Sequence, residues 1–334
     1  MPSKSPQISV IMPVYNSALF VNRAVRSILN QSESNFELIV VDDGSIDSSM
    51  ECLKKICDRR IQILELGENR GISHALNMGI KLARGEFIAR MDADDMAHPE
   101  RLYLQKQFMQ KNEDIGVLGT AFRVFGDAWP KVVQPPGDHE SIKAAMVFST
   151  PIGHPTAMMR SQIFNKNGFS YDERYNGAED YELWTRLITR FKFANLPRTL
   201  LKYRVHKSQS SQKKKTKQAS LTREIRVKYL KTLGASSEVL ATDFAEIITV
   251  GRPAVAAQNI EKFNRWQKEI NLILPSFETQ LKTTATQRYL ECSDRETRNA
   301  LAKLAIVKPD LISLSERANR KIKRIFKLFL RVNK

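Results

Sequence analysis

Asp92-Ala93-Asp94-Asp95 places three carboxylates within four residues, directly after the apolar run Phe87-Ile88-Ala89-Arg90-Met91. Acids packed this closely repel one another. A hard divalent cation, Mg²⁺ or Mn²⁺, relieves that repulsion while keeping coordination positions open for phosphate oxygens. The same residues also suit a solvated turn in which Asp94 or Asp95 caps the next helix, and spacing alone leaves both readings open. Position favours a ligand. Residues 87–91 read as an inner strand of a parallel sheet, and Pro99 after His98 would open the following helix at its first position. The acids then lie past the carboxyl end of a strand, where open α/β sheets bind their ligands.

The surrounding elements repeat this arrangement. Residues 7–12 form an expected strand closed by Pro13. A helix follows, with Val21, Val25, Ile28 and Leu29 on one face and Ser17 as the expected cap. Residues 36–41 form a second strand ending in Asp42-Asp43-Gly44-Ser45, after which Met50, Leu53 and Ile56 recur at helical spacing. A third strand, 61–66, runs into Asn69-Arg70-Gly71 and a helix carrying Ala75, Leu76, Gly79, Ile80 and Ala83. Gly85 is read as its left-handed stop. Alternating strands and helices over the first hundred residues predict parallel βαβ units. Further on, 115–125 and 155–159 read as strands and 127–137 as a loop. Gly177-Ala178-Glu179-Asp180 introduces a helix with Tyr181, Trp184 and Ile188 on one face. The segment 199–205 reads as a last strand, ending at His206. A polar run into Lys213-Lys214-Lys215 then marks an expected domain boundary near 210, dividing residues 1–210 from a basic, mainly helical region, 211–334, of four to six helices.

Composition narrows the class. The 334 residues are 42% hydrophobic, as in an ordinary globular protein able to bury a sizeable core. Cys52, Cys57 and Cys292 are too few and too irregularly spaced for a disulfide scaffold or a zinc site. They fit a reducing, cytoplasmic setting. No signal peptide is visible, and no apolar run reaches the roughly 20 residues needed to span a bilayer. The net charge of +17 is uneven, since residues 1–212 hold 27 Lys+Arg against 24 Asp+Glu and residues 213–334 hold 26 against 12. Such asymmetry points to an anionic partner for the C-terminal third.

Taken together, Pro13-Val14-Tyr15-Asn16, Val41-Asp42-Asp43-Gly44-Ser45, Asn69-Arg70-Gly71, Met91-Asp92-Ala93-Asp94-Asp95, Gly177-Ala178-Glu179-Asp180-Tyr181-Glu182-Leu183-Trp184 and Tyr203-Arg204-Val205-His206 carry a resemblance. From about Gln7 to Ser211 the chain resembles the family 2 glycosyltransferases. The resemblance implies a GT-A fold: an α/β, Rossmann-like, mostly parallel central sheet flanked by helices, here followed by the helical C-terminal region. It also implies a nucleotide-diphosphate sugar donor, usually a uridine one, and transfer with inversion at the anomeric carbon. In this reading Pro13, Tyr15 and Asp42 hold the base, with Asp42 accepting the uracil imide N–H. Asn69 and Arg70 border the nucleotide pocket, Asp92 meets the ribose, and Asp94 binds a divalent cation (Mn²⁺ or Mg²⁺) at the diphosphate. His206 helps to bind the metal or diphosphate, or is an ordinary surface histidine. Asp180 matches the general base and Glu179 is the second candidate; without the other motifs this acid pair would read as helix-cap and dipole partners. His154 faces the acceptor or holds its loop, and Trp184 is core or a wall of the sugar site.

Residues 316–334 carry eight Lys or Arg against one Glu, with Ile322, Ile325, Phe326 and Phe329 at helical intervals. This suits a helix lying in a membrane interface, or one packed on its own domain or on a second copy in a homo-oligomer. The expected function is sugar transfer to a glycan or lipid-linked glycan acceptor in bacterial surface polysaccharide or lipopolysaccharide synthesis, at the cytoplasmic face of the membrane. One alternative is a sugar-phosphate nucleotidyltransferase, but the Gly-rich phosphate loop it would need near the N-terminus is missing. The other is a non-enzymatic nucleic-acid binder using the basic region. That region has no recognised nucleic-acid-binding signature, and no nucleic acid is expected as a partner.

Overall fold

The computed structural model describes residues 5–207, 215–236, 260–276 and 279. Its chain divides into two compact units: residues 1–142 with 150–225, and residues 143–149 with 226–334.

The first unit is built on a nine-stranded sheet. Its N-terminal half alternates β1 (Ile8–Val14), α1 (Val21–Leu29), β2 (Phe36–Asp42), α2 (Ser49–Lys54), β3 (Ile61–Glu65), α3 (Ile72–Leu82) and β4 (Phe87–Arg90). The four strands pair in parallel in the order β3-β2-β1-β4. Because crossover helices cover a parallel sheet, its inner strands are apolar on both faces. In β1 and β2 every residue but Pro13 is buried. Their carboxyl ends therefore carry the first polar groups free to meet a ligand.

After β5 (Met96–Ala97) and α4 (Arg101–Lys111) come β6 (Ile115–Gly126), β7 (Lys131–Val133), α5 (His139–Ala145), β8 (Met158–Arg160), α6 (Gln162–Asn165), α7 (Glu179–Leu187) and β9 (Lys192–Val205). Strand β8 runs antiparallel between β4 and β6, β9 lies parallel to β6, and β5 and β7 add antiparallel edges. This half carries the long β9 to the acid turn, where Asp95 Oδ1 accepts from Arg204 N at 2.7 Å. Trp184, Tyr181 and Ile188 pack inward, and Trp184 is fully buried, as its helical spacing predicts.

Several local expectations need correction. Ser17 does not cap α1 with its side chain: its hydroxyl turns to Tyr15 O at 3.2 Å, and an intervening turn delays the helix to Val21. Pro99 precedes α4 by two residues. The segment 155–159 is mostly not strand. Pro155 has no N–H to give a ladder, and His154–Thr156 forms a 3₁₀ turn before β8. The expected loop 127–137 contains β7. Strand β9 begins at Lys192 rather than 199, because Pro197 lies at a bulge where the register jumps from Leu196 to Thr199.

Gly85 is also not a left-handed stop; it is absent from the positive-φ glycines. It is required for close approach, since a Cβ there would lie 2.6 Å from Ser9 N and 2.8 Å from Ile8 C. Its own N–H donates to Ser9 Oγ at 2.8 Å. Gly85→Ala is expected to lower stability by about 1–3 kcal/mol, the cost of overpacking against backbone. A urea titration checks this, and an unchanged midpoint would remove the close-approach role.

In the second unit, Tyr229, Leu230, Ile270 and Leu274 are buried. The Tyr229 hydroxyl donates to Lys143 O at 2.8 Å, and Glu269 accepts from Ser236 N at 2.7 Å. Helices over Lys215–Thr232 and Ile260–Ile273 are described. The basic segment 316–334 lies outside the described residues.

Candidate active site

The site is assembled where β1, β2, β4 and β9 end. Past β1, Asn16 adopts a left-handed conformation (φ 47°), which asparagine tolerates better than most residues. It is bonded both ways to the loop after β2: Asn16 N donates to Ser45 Oγ at 3.0 Å, and Asn16 Oδ1 accepts from Ile46 N at 2.9 Å. The ladder pairs Pro13 with Val41 and Val14 with Asp42, so Pro13 and the half-exposed Tyr15 flank the residue opposite Asp42. Asp42 is buried. Its Oδ2 accepts from Ser45 N at 3.1 Å, and among the described residues its Oδ1 has no hydrogen-bond partner. An unpaired buried acceptor is costly, so Oδ1 suits a donor N–H brought by a ligand.

Asp43 has a different task. Its two carboxylate oxygens accept from Arg70 N and Gly71 N at 2.9 Å each, which fixes the loop after β3. Asn69 and Arg70 are exposed on that loop. Gly44 permits the approach: its φ is 70° and a Cβ would lie 2.6 Å from Glu68 C.

At the acid turn, ligand oxygens of Asp92, Asp94 and Asp95 all lie within 4.8 Å of one another. Asp92 is ion-paired with Arg90, itself 3% exposed. Asp95 is 1% exposed and faces the charge of the fully buried Arg101. Arg101 is otherwise occupied by Gln105 Oε1 at 3.0 Å and Arg90 O at 2.8 Å. Asp94 Oδ2 meets His206 Nε2 at 2.9 Å. Strand β9 supplies that histidine together with Arg204, whose guanidinium donates to Asp94 O at 2.8 Å and lies over the rings of Phe20 and Phe125. Asp92 therefore has an arginine as its ion-pair partner, while Asp95 is almost wholly shielded from solvent. Asp94 is half-buried, and among the described residues its side chain is paired with the His206 imidazole, which leaves it the more open of these acids to a cation.

The electrostatics agree. Burial, and then the Asp92 charge, raise the Asp94 carboxyl, and His206 opposes the rise. Burial and the charges of Asp92 and Asp94 push Asp95 well up, and among the described residues its Oδ2 lacks a hydrogen-bond partner. Burial comes first in both shifts, and the mutual repulsion of the acids adds to it. A divalent cation would relieve that repulsion, and the acid cluster fits one; Asp94 and His206 are the groups that would meet it.

Glu179 and Asp180 open α7 after Gly177 (φ 103°). Glu179 is buried, accepts from Gly177 N at 2.6 Å, and has Oε1 3.9 Å from His154 Nδ1. Burial first, then the Asp180 charge, raise its carboxyl to about 7. Asp180 is half-buried, accepts from Tyr181 N at 2.7 Å, and is raised chiefly by burial. Glu179 thus serves the local turn and Asp180 is the more available acid. His154 is 7% exposed, its Nε2 is 2.9 Å from the Tyr171 hydroxyl, and burial with the Arg90 charge holds its pKa well down. That places His154 in its loop's hydrogen bonding. Arg90, Arg101, Asp43 and Arg204 were not expected from sequence to shape the site. The visible signal was Arg90, a charge inside an apolar strand.

Residues 9–169 match the model of the family described as Glycosyl transferase family 2. An uncharacterized glycosyltransferase of Haemophilus influenzae is 31% identical over 256 residues, covering 70% of this chain and 78% of the relative. The O-antigen biosynthesis glycosyltransferase WbnJ of Escherichia coli is 34% identical over 218 residues, covering 62% of this chain and 82% of WbnJ. Residues 1–349 of S. aureus TarS, solved in complex with UDP-GlcNAc, superpose with a TM-score of 0.59 at 18% identity, covering 94% of this chain and 92% of that one. This last likeness speaks for the fold, a mixed α/β GT-A sheet. With four strand ends converging on an acid turn and relatives of this extent, the chain belongs to glycosyl transferase family 2 and is a glycosyltransferase.

Proposed function

We propose that the protein moves a sugar, with inversion, from a nucleotide-diphosphate donor, a UDP-sugar, to a hydroxyl of a glycan or lipid-linked glycan in surface polysaccharide synthesis. The observation that carries the donor assignment is the unpartnered Oδ1 of buried Asp42 beside Pro13 and Tyr15, an acceptor suited to the uracil imide. TarS, which shares the fold, was solved with UDP-GlcNAc. WbnJ is named for O-antigen synthesis, which supports the acceptor class.

In this mechanism Asp92 meets the ribose, and Asn69 and Arg70 border the nucleotide. Asp94 and His206 would hold a divalent cation, which when bound supplies positive charge at the diphosphate. Asp180 takes the proton of the acceptor hydroxyl as that oxygen attacks the anomeric carbon from the face opposite the leaving group. The new C–O bond forms as the bond to the diphosphate oxygen breaks, and UDP leaves with the electron pair. One displacement inverts the centre. The test is a panel of nucleotide sugars assayed for hydrolysis and thermal shift with and without Mn²⁺. A UDP-sugar is expected to give the largest shift, and a shift confined to GDP- or dTDP-sugars would overturn the base assignment.

The basic segment 316–334 is assigned to peripheral contact with the cytoplasmic membrane face, because anionic lipid attracts each nearby Lys or Arg by about 1 kcal/mol. Among the described residues no helix is long and apolar enough to cross a membrane. Deleting 316–334 is expected to release the protein from anionic vesicles while activity on a soluble acceptor persists. Equal pelleting of both forms at low and high salt would remove the role.

A further inference from the structure

Groups that converge on one ion are held as much by the residues around them as by their own backbone. Asp94 comes from the turn after β4 and His206 from the residue after β9, so these two chain ends must be tied together. Three successive residues make the tie. Arg204 N donates to Asp95 Oδ1 at 2.7 Å, Val205 O accepts from Asp127 N at 2.8 Å, and His206 Nε2 meets Asp94 Oδ2 at 2.9 Å. At the end of β6, Gly126 has a φ of 100°, and a Cβ there would lie 2.4 Å from Val205 O. The two strands therefore close on each other just before the histidine.

Side chains two apart along a strand share a face, and Arg204 and His206 both reach Phe20 in the loop after β1. The Phe20 ring centroid lies 4.7 Å from that of His206 and 4.7 Å from Arg204 Cζ, and the Phe125 ring lies 4.4 Å from the same Cζ. The packed guanidinium turns its Nε to the Asp94 carbonyl, 2.8 Å away. A planar guanidinium can pack on aromatic faces while it donates in its own plane, and an ammonium cannot. We propose that Arg204 is a positioning residue for cation binding: packed on Phe20 and Phe125, it holds the Asp94 backbone so that the Asp94 carboxylate and the His206 imidazole converge. This rests on Asp94 and His206 being the groups that hold the cation. Phe20 extends the tie to the loop that carries Tyr15 and Asn16, so the nucleotide side and the acid turn share one support.

The test is isothermal titration of UDP into the full-length protein with and without Mn²⁺, the ratio of the two dissociation constants being the coupling between metal and nucleotide. In Arg204→Gln that ratio is expected to fall toward one, a loss of up to about 10- to 100-fold, the usual cost of removing a group that orients metal ligands. The metal-free constant should stay within about twofold of the parent, because no nucleotide contact is removed. A merely structural role would weaken binding with and without Mn²⁺ together, and a guanidinium that touched the diphosphate itself would weaken the metal-free binding. Either outcome overturns the proposal. Arg204→Lys is the second variant, since it keeps the charge and most of the side chain and disturbs folding least. It lacks the planar fork and should lose most of the ratio; a ratio kept in full would mean that charge and not placement matters, which overturns the proposal. The parent separates the two ideas. If Mn²⁺ does not strengthen UDP binding to it, the cation reading has failed and takes the proposal with it. If Mn²⁺ does so and the variants keep the parent's ratio, only the role of Arg204 has failed.

Discussion

Asp180→Asn is expected to lower turnover by about 10²- to 10⁴-fold, roughly 3–5 kcal/mol of barrier, while the donor dissociation constant changes only a few-fold. The split follows from location. Asp180 stands at the first turn of α7, whereas the groups assigned to the nucleotide stand past the ends of β1, β2, β3 and β4. Asparagine keeps the shape and can still bond Tyr181 N, so the fold should survive. Turnover and donor affinity must be measured on the same folded sample. If turnover stays within about threefold of the parent, Asp180 is not the base. Glu179, raised to about 7 and facing His154, then becomes the next candidate.

Asp94→Asn should abolish the effect of Mn²⁺ on donor binding and reduce turnover by at least about a hundredfold, since even groups that merely orient metal ligands cost roughly 10- to 100-fold in affinity or activity when changed. The amide is nearly isosteric but neutral, and a poor ligand for a hard cation. The surroundings magnify the loss. Asp92 is already ion-paired with Arg90, and Asp95 is only 1% exposed, so neither is as open to an ion as Asp94. Isothermal titration of a UDP-sugar with and without Mn²⁺ reads the result directly. A preserved Mn²⁺ dependence would move the metal to another acid of the turn.

Much of the fold was legible because parallel βαβ units write themselves locally. Residues 8–14, 36–42 and 61–65 are short apolar runs stopped by polar turns, and the helices between them repeat at helical spacing. The second half was less legible where proline decided the geometry. Pro155 turned an expected strand into a 3₁₀ turn, and Pro197 was carried by a bulge inside a strand expected to begin after it. Gly85 shows the same limit, since its need for close approach comes from Ser9, far away in sequence.

For the site, sequence alone determined which acids lie past which strands, because strand direction and turn position follow from local pattern and the motif order carries the family resemblance. It could not say which acid is free. That was decided by tertiary structure, which brought Arg90 and Arg101 beneath the acid turn, His206 2.9 Å from Asp94, and Asp43 onto the backbone of Arg70 and Gly71. The physical reason is that a carboxylate's chemistry depends on the charges and donors within a few ångströms, and here those partners come from other strands and helices, up to 112 residues away.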